Sequence, residues 1–181
     1  MIDYKTVEQS LSAKLDIKNR MSLPKLQKIV LNVGIGDAKT DPKLQEEAIN
    51  TLTIISGQKP ILTKAKKSIS GFKLREGEAI GVKVTLRGLK MLNFVERLAS
   101  VTLPRIRDFH GLDPRKFDRQ GNYTFAIKEQ MVFPEIPYDS IKSTHGVEIT
   151  FSIKLSDPNK SRALMECMGI PFMKDDSLNQ K

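Results

Sequence analysis

Basic side chains are concentrated in one stretch of the sequence. Lys59–Lys90 holds nine lysines and arginines against two glutamates, a net charge of +7, while the whole chain carries +9. The rest of the chain is therefore nearly neutral. A basic stretch this localised indicates a phosphate-rich partner such as RNA more strongly than a high isoelectric point would.

The outgoing half of this stretch alternates with a period of two, which predicts a strand. Its aliphatic set is Ile80, Val82, Val84 and Leu86, and its polar set is Gly81, Lys83, Thr85 and Arg87. The aliphatic face should pack against helices. The polar face offers charge for phosphate, a hydroxyl for sugar or base, and a glycine where backbone can approach. The alternative is an ordinary solvated sheet face.

Other reactive residue types form no recognisable site. Gly34-Ile35-Gly36 lacks the third glycine of a dinucleotide loop, so we interpret it as a turn. Cys167 is the sole cysteine, and His110 and His145 are far apart, so no zinc-ligand spacing exists. We expect no metal, no cofactor and no catalytic function. No apolar run approaches the ~18 residues of a membrane-spanning helix.

Basic and aromatic residues also interleave between Arg105 and Tyr123, as in proteins that hold unpaired nucleotides. The alternative is a long surface loop with its phenylalanines tucked underneath. The interleaved residues are Arg105, Arg107, Phe109, Arg115, Lys116, Phe117 and Arg119.

Around these features the pattern predicts an α+β fold. It is a largely antiparallel sheet of about five strands, with helices on one face and an exposed polar RNA-binding face on the other. Residues 1–174 should form a single domain, and residues 175–181 a polar tail. Strands are expected at Lys28–Ile35, on both sides of the basic loop, at Tyr123–Ile127, Gln130–Phe133 and Val147–Leu155. Helices are expected from Tyr4 to about Lys18–Arg20, from Pro42 with Asp41 as N-cap, from Leu89 to Leu103 with Pro104 as its stop, and from Pro158 to Gly169.

Three long strings closely resemble the bacterial-type family of the fifth large-subunit ribosomal protein. They are GQKPILTKAKKSISGFKLREGEAIGVKVTLRG, then ERL with LPRIRDFHGL, then FDRQGNYTFAIKEQMVFPEI. The resemblance covers about Leu23 to Lys174. It implies an α+β fold and a structural, non-enzymatic protein of the large subunit. The implied partners are 5S rRNA in the central protuberance, large-subunit rRNA, peptidyl-site tRNA, small-subunit protein thirteen across an intersubunit bridge, and neighbouring central-protuberance proteins, with no membrane. The implied location is the ribosome in the cytoplasm of a bacterium, or in an organelle.

The family's contact residues carry over by position. For rRNA they are Asn32, Gln58, Lys64, Lys66, Lys67 and Thr85, to which the strand pattern adds Lys83 and Arg87. For tRNA they lie in a loop expected at Ser70–Gly81, namely Ser70, Gly71, Phe72, Lys73, Arg75 and Gly77. The chain departs from the family in continuing with Asp175–Lys181, whose role is unassigned. A free-standing RNA-binding or regulatory module, binding its own message, and an enzyme are the alternative hypotheses.

Overall fold

In the part of the chain that the structure describes, five strands form one antiparallel sheet in the order β2-β3-β1-β5-β4, which confirms the predicted α+β class. A computed structural model of the protein describes residues 4–36, 42–137, 143–154 and 157–173. The strands are β1 Lys25–Gly34, β2 Ile61–Lys64, β3 Ala79–Leu86, β4 Tyr123–Ile127 and β5 Val147–Lys154. The helices are α1 Tyr4–Leu15, α2 Pro42–Ser56, α3 Gly88–Arg97, α4 Leu103–Arg105 and α5 Pro158–Cys167.

The side chains buried by the strands β1 and β5 follow the alternation of apolar residues in the sequence. Ile29, Leu31 and Val33 of β1 are 0–1% exposed. In β5, Ile149 and Phe151 are completely buried. Because alternate residues of a strand point to opposite faces, the residues between them lie on the other face of the sheet. Each large aliphatic side chain buried in this way contributes about 1.5–3 kcal/mol.

The chain divides into two compact units. One comprises Val30–Leu86 and Ala126–Ile149, and within it α2 packs against β3. The other comprises Met1–Ile29, Arg87–Phe125 and Thr150–Lys181, and within it α1 packs against α5. The single domain expected over residues 1–174 stays a prediction. The expected tail at 175–181 and the expected N-cap Asp41 lie outside the described residues.

Strand β1 runs over Lys25–Gly34 where Lys28–Ile35 was expected, and the predicted ends of two helices are also wrong. Helix α1 ends at Leu15, because Asp16 adopts a left-handed φ of 51° that breaks the helix. Helix α3 becomes a π-helical turn at Leu98–Thr102 and runs on through α4, so Pro104 lies inside the helical segment. The π turn adds one residue to the repeat, so Thr102 is buried where Val101 was expected, and Val101 is 40% exposed.

The strand expected at Gln130–Phe133 is also wrong, since Gln130–Val132 is a 3₁₀ turn. The Gln130 side chain is fully buried. Its Nε2 donates to the Ser143 carbonyl at 2.9 Å, and its Oε1 accepts from the His145 N–H at 3.0 Å. The Gln130 side chain thus holds the segment around Ser143 and His145. The Gln130 backbone belongs to the 3₁₀ turn and not to a strand.

Between Arg105 and Tyr123, Phe117 packs against other aromatic rings, which agrees with the alternative interpretation for that residue, whereas Phe109 is partly exposed. The Phe117 ring lies 4.6 Å from that of Tyr123 and 5.7 Å from that of Phe172, measured between centroids. Leu112 exchanges backbone hydrogen bonds with Pro171 and Met173. The Phe117 ring therefore helps to stabilise this long surface segment, and the exposed side chains of the segment include all five of its basic residues.

Candidate nucleic-acid interface

The antiparallel pair β2–β3 displays the basic residues singled out in the sequence. Lys83 is exposed, whereas Val82, Val84 and Leu86 are at most 3% exposed. Lys83 pairs with Ile61 and Gly81 pairs with Thr63, so these four residues share one face of the sheet. Ile80 departs from the predicted pattern, being 38% exposed at the start of the strand.

Backbone approach at Gly81 explains why the polar face has no side chain there. A Cβ on Gly81 would lie 2.9 Å from Thr63 Oγ1 and 2.9 Å from the Val33 carbonyl oxygen. Ile35 donates its N–H to the Ile80 carbonyl at 3.0 Å, which sets the pairing of β1 with β3. From this antiparallel register we infer that Asn32 lies in the row beside Lys83.

Gln58 and Thr85 are joined by one hydrogen bond that fixes the orientation of the Gln58 amide. Gln58 Nε2 donates to the Thr85 backbone carbonyl at 2.7 Å. Because the amide nitrogen faces a carbonyl, the Gln58 Oε1 is left as an acceptor. The Thr85 hydroxyl forms no hydrogen bond with any described residue, and the side chain is half-buried.

The Asn32 amide is oriented by a carboxylate that sequence reasoning missed. Asn32 Nδ2 donates to Glu148 Oε2 on the neighbouring strand β5 at 3.2 Å. The Asn32 Oδ1 therefore also points away from its protein partner as an acceptor. The strand order makes β5 the neighbour of β1, and period-two alternation alone could not have shown that pairing.

Two amide oxygens and one hydroxyl thus lie on this face with Lys83 and with the Glu148 carboxylate that holds Asn32. Oxygen acceptors disfavour phosphate oxygens and favour hydrogen-bond donors, such as ribose hydroxyls and exocyclic amines of bases. Lysines contribute the attraction for phosphate. The arrangement is suited to recognising a particular RNA surface. The lysines would attract phosphate, and the oxygen acceptors would recognise hydrogen-bond donors.

The remaining predicted basic residues lie at or just beyond the ends of the strands β2 and β3. Lys64, Lys66 and Lys67 are exposed, and the chain between them is anchored by the buried Ala65. Ala65 donates its N–H to the Glu78 carbonyl at 2.8 Å and accepts from the Gly77 N–H at 3.0 Å. Arg87 is exposed at the N-cap position of α3, directly after β3.

The predicted tRNA loop is shorter than expected, because β3 already begins at Ala79 and Gly81 is buried within it. Ile69 and Leu74 form an antiparallel bridge that closes the tip, Ser70–Phe72 is a 3₁₀ turn, and Lys73 has a left-handed φ of 47°. All six expected tip residues are exposed: Ser70, Gly71, Phe72, Lys73, Arg75 and Gly77. Phe72, the one aromatic residue in the sequence of this loop, is 72% exposed.

Hydrogen bonds within the loop give it a defined backbone. Glu76 donates its N–H to Ser68 Oγ at 3.0 Å, and Arg75 donates its N–H to Glu78 Oε2 at 3.0 Å. Gly77 has a φ of +87°, a conformation that favours glycine. The loop therefore presents Phe72, Lys73 and Arg75 on a backbone that several hydrogen bonds hold in place.

Two family models match the chain in succession. Residues 19–75 match the model of ribosomal protein L5, and residues 79–172 match the model of the C-terminus of the same ribosomal family. The chain belongs to the ribosomal protein L5 family. This L5 family is structural and non-enzymatic, so the protein is a structural constituent of the large ribosomal subunit that binds RNA and serves translation.

Bacterial members of the L5 family are similar over nearly their whole length. The large ribosomal subunit protein uL5 of Streptococcus sanguinis is 51% identical over 170 residues, 94% of each chain. The uL5 of Lacticaseibacillus casei is 48% identical over 170 residues, also 94% of each chain. The uL5 of Dichelobacter nodosus is 49% identical over 166 residues, 92% of this chain and 93% of that one.

The described residues also bear on metal binding and on membrane insertion. No group of three or more His, Cys, Asp or Glu side chains there is placed to hold a metal ion. Within the same ranges, none of the helices combines the length and apolarity needed to cross a membrane.

Proposed function

We propose that this L5 family member binds 5S rRNA through the polar face around Asn32, Gln58 and Thr85. The observation that carries the proposal is a set of three polar groups on that face, near Lys83 and the basic turn Lys64–Lys67. They are the two oriented amide oxygens of Asn32 and Gln58 and the Thr85 hydroxyl. The lysines attract the backbone, and the oxygens accept hydrogen bonds from the donors of one particular RNA surface. The 5S rRNA is thereby attached to large-subunit rRNA in the central protuberance.

The chemistry of the face favours RNA over DNA and over a generic polyanion. The ribose 2′-hydroxyl is a donor that DNA lacks, and unpaired loops expose base amines that a duplex conceals. Oriented, half-buried acceptors can discriminate between RNA ligands, because a ligand without matching donors leaves these acceptors desolvated and unpaired. Freely moving surface lysines alone would give affinity without selectivity.

The exposed tip Ser70–Gly77 is proposed to contact peptidyl-site tRNA. Lys73 and Arg75 supply positive charge, and Phe72 offers an aromatic ring to a base or sugar. The family resemblance further supports an intersubunit bridge with small-subunit protein thirteen and contacts with neighbouring proteins of the central protuberance. The proposed location is the ribosome in a bacterial cytoplasm, in keeping with bacterial relatives; an organellar ribosome is the alternative.

A gel-shift titration tests the central proposal. The protein should shift 5S rRNA and should fail to shift, at the same concentrations, a 5S rRNA with an altered hairpin loop. Equal affinity for both RNAs would contradict recognition by oriented acceptors. Co-sedimentation with large subunits in high salt separates a ribosomal constituent from a free-standing module that binds its own message, because only the former should remain bound.

A further inference from the structure

A shallow cavity of about 570 Å³ lies at the turn that precedes β4, within the unit containing Arg87–Phe125. Two cations, Arg119 and Lys154, line it together with four uncharged polar side chains: Gln27, Gln120, Asn122 and Ser152. No acidic side chain lines it among the described residues. None of these residues belongs to the polar face around Thr85.

The turn that carries Arg119 is fixed before any ligand arrives. Asp118 Oδ1 accepts from the Gln120 N–H at 2.9 Å and from the Asn122 N–H at 2.6 Å, and its Oδ2 accepts from Asn122 Nδ2 at 2.8 Å. Asn122 Oδ1 in turn accepts from the Ile153 N–H of β5 at 3.1 Å. The Asp118 carboxylate is thus turned toward its own loop.

Both cations are available to an external anion. Arg119 and Lys154 are exposed, and neither side chain forms an ion pair or hydrogen bond with another described residue. Arginine presents a planar fork that matches two oxygens of one phosphate, and lysine adds a compact charge. The amide groups of Gln27 and Gln120 and the Ser152 hydroxyl add neutral donors beside them.

We propose that this cavity binds a phosphate group in the backbone of large-subunit ribosomal RNA. The phosphate chemistry follows from the two unpaired cations and the neutral donors. The choice of RNA as its source rests on the proposed function. Such a contact positions the protein on the RNA and does not depend on the RNA sequence. The acceptors on the polar face, in contrast, would select particular RNA groups.

The test compares salt dependence in the full chain. In the double variant Arg119→Gln, Lys154→Gln, the log–log salt slope for purified large-subunit ribosomal RNA should become less negative by about one unit, since each phosphate contributes roughly 0.7–0.9. The affinity at low salt should fall about tenfold. The control variant Lys5→Gln, Lys18→Gln removes the same charge from exposed positions elsewhere and should change the slope by less than half as much.

Inorganic phosphate provides the second arm. Titrated into the wild-type protein, it should shift the amide resonances of residues 118–122 and 152–154, and these shifts should be absent from the double variant. Phosphate-dependent shifts with an unchanged RNA slope would assign the cavity to free phosphate and overturn the RNA source. Absence of both effects would overturn the site altogether. If Thr85→Val still weakens RNA binding in that case, the proposed function stands without the cavity.

Discussion

The polar face and the loop tip are both basic, but they are built differently. On the face, Asn32 and Gln58 use their amide nitrogens to bond to the protein, which leaves their oxygens fixed in direction. At the tip, the hydrogen bonds are made largely by backbone groups, and the side chains of Phe72, Lys73 and Arg75 are exposed. The face therefore has directional specificity, whereas the tip presents charge and an aromatic surface to a partner that arrives and leaves.

Glycine substitutions should separate the two regions most clearly. Gly81→Ala places a Cβ 2.9 Å from the Val33 carbonyl oxygen, so β1 and β3 must shift. We expect a loss of about 1–3 kcal/mol in the free energy of unfolding, measured by urea titration, because tight interiors tolerate added atoms poorly. Gly71→Ala at the tip is the matched control: its Cβ would meet no atom within 4 Å, and its stability should stay near wild type. Equal stability of both variants would refute the close approach at Gly81.

Removing one hydroxyl from the face should cost affinity without loss of stability. Thr85→Val keeps the shape and leaves the Gln58 bond intact, because that bond is made to the Thr85 backbone. An RNA donor left unpaired costs about 1–3 kcal/mol, so the Kd for 5S rRNA should rise from about fivefold to more than a hundredfold. Asn32→Ala should act similarly. Normal binding by a folded variant, with the fold checked by circular dichroism, would remove that residue from the contact set.

Shortening the tip tests whether the two regions serve different partners. Ile69 and Leu74 are hydrogen-bonded across a four-residue connection, so Ser70–Lys73 can be replaced by Asn-Gly, which closes such a pair as a type I′ turn. Binding of 5S rRNA should stay within about tenfold, or 1.4 kcal/mol. Ribosomes carrying the variant should retain peptidyl-site tRNA less well. A much larger loss of 5S affinity would show that the tip also binds 5S rRNA.

A single lysine should have the smallest effect. If about six phosphates are contacted, the log–log salt slope for 5S rRNA should be roughly −4 to −5. Lys66 is exposed in the turn after β2, so Lys66→Ala should lower affinity and flatten that slope by somewhat under one unit. The lysine contributes charge without direction, so Lys66→Arg should restore the slope. A wild-type slope near zero would contradict the role of the basic stretch.

Local patterns predicted the parts of the face that lie within one strand. Alternation placed Lys83 and Thr85 opposite Val82 and Val84, and the burial of these side chains agrees. It could not show that Ile61, 66% exposed, shares a face with Lys83, because strand register is set by pairing between segments. Nor could it show that Glu148 orients Asn32.

The wrong predictions of a strand at Gln130 and of a buried Val101 have the same physical origin. Gln130 lies in a run of strand-like composition, but its side chain is bonded to residues 13 and 15 positions away. Helical periodicity placed Val101 in the core, since that pattern assumes 3.6 residues per turn throughout. Tertiary packing decided both outcomes. The contact roles assigned to Lys64, Lys67, Lys83 and Arg87 stay predictions until RNA binding is measured.

The π-helical turn at Leu98–Thr102 bears on which changes in chain length this protein could tolerate. Deleting a residue from a regular α-helix rotates everything after it by about 100°, which turns core side chains toward solvent. A π turn already contains one residue more than an α turn. Loss of Ser100 would convert it to regular α-helix and leave Leu103, fully buried at present, facing the same way. This helix therefore contains a position where the gene could shorten by one codon and the core could keep its register.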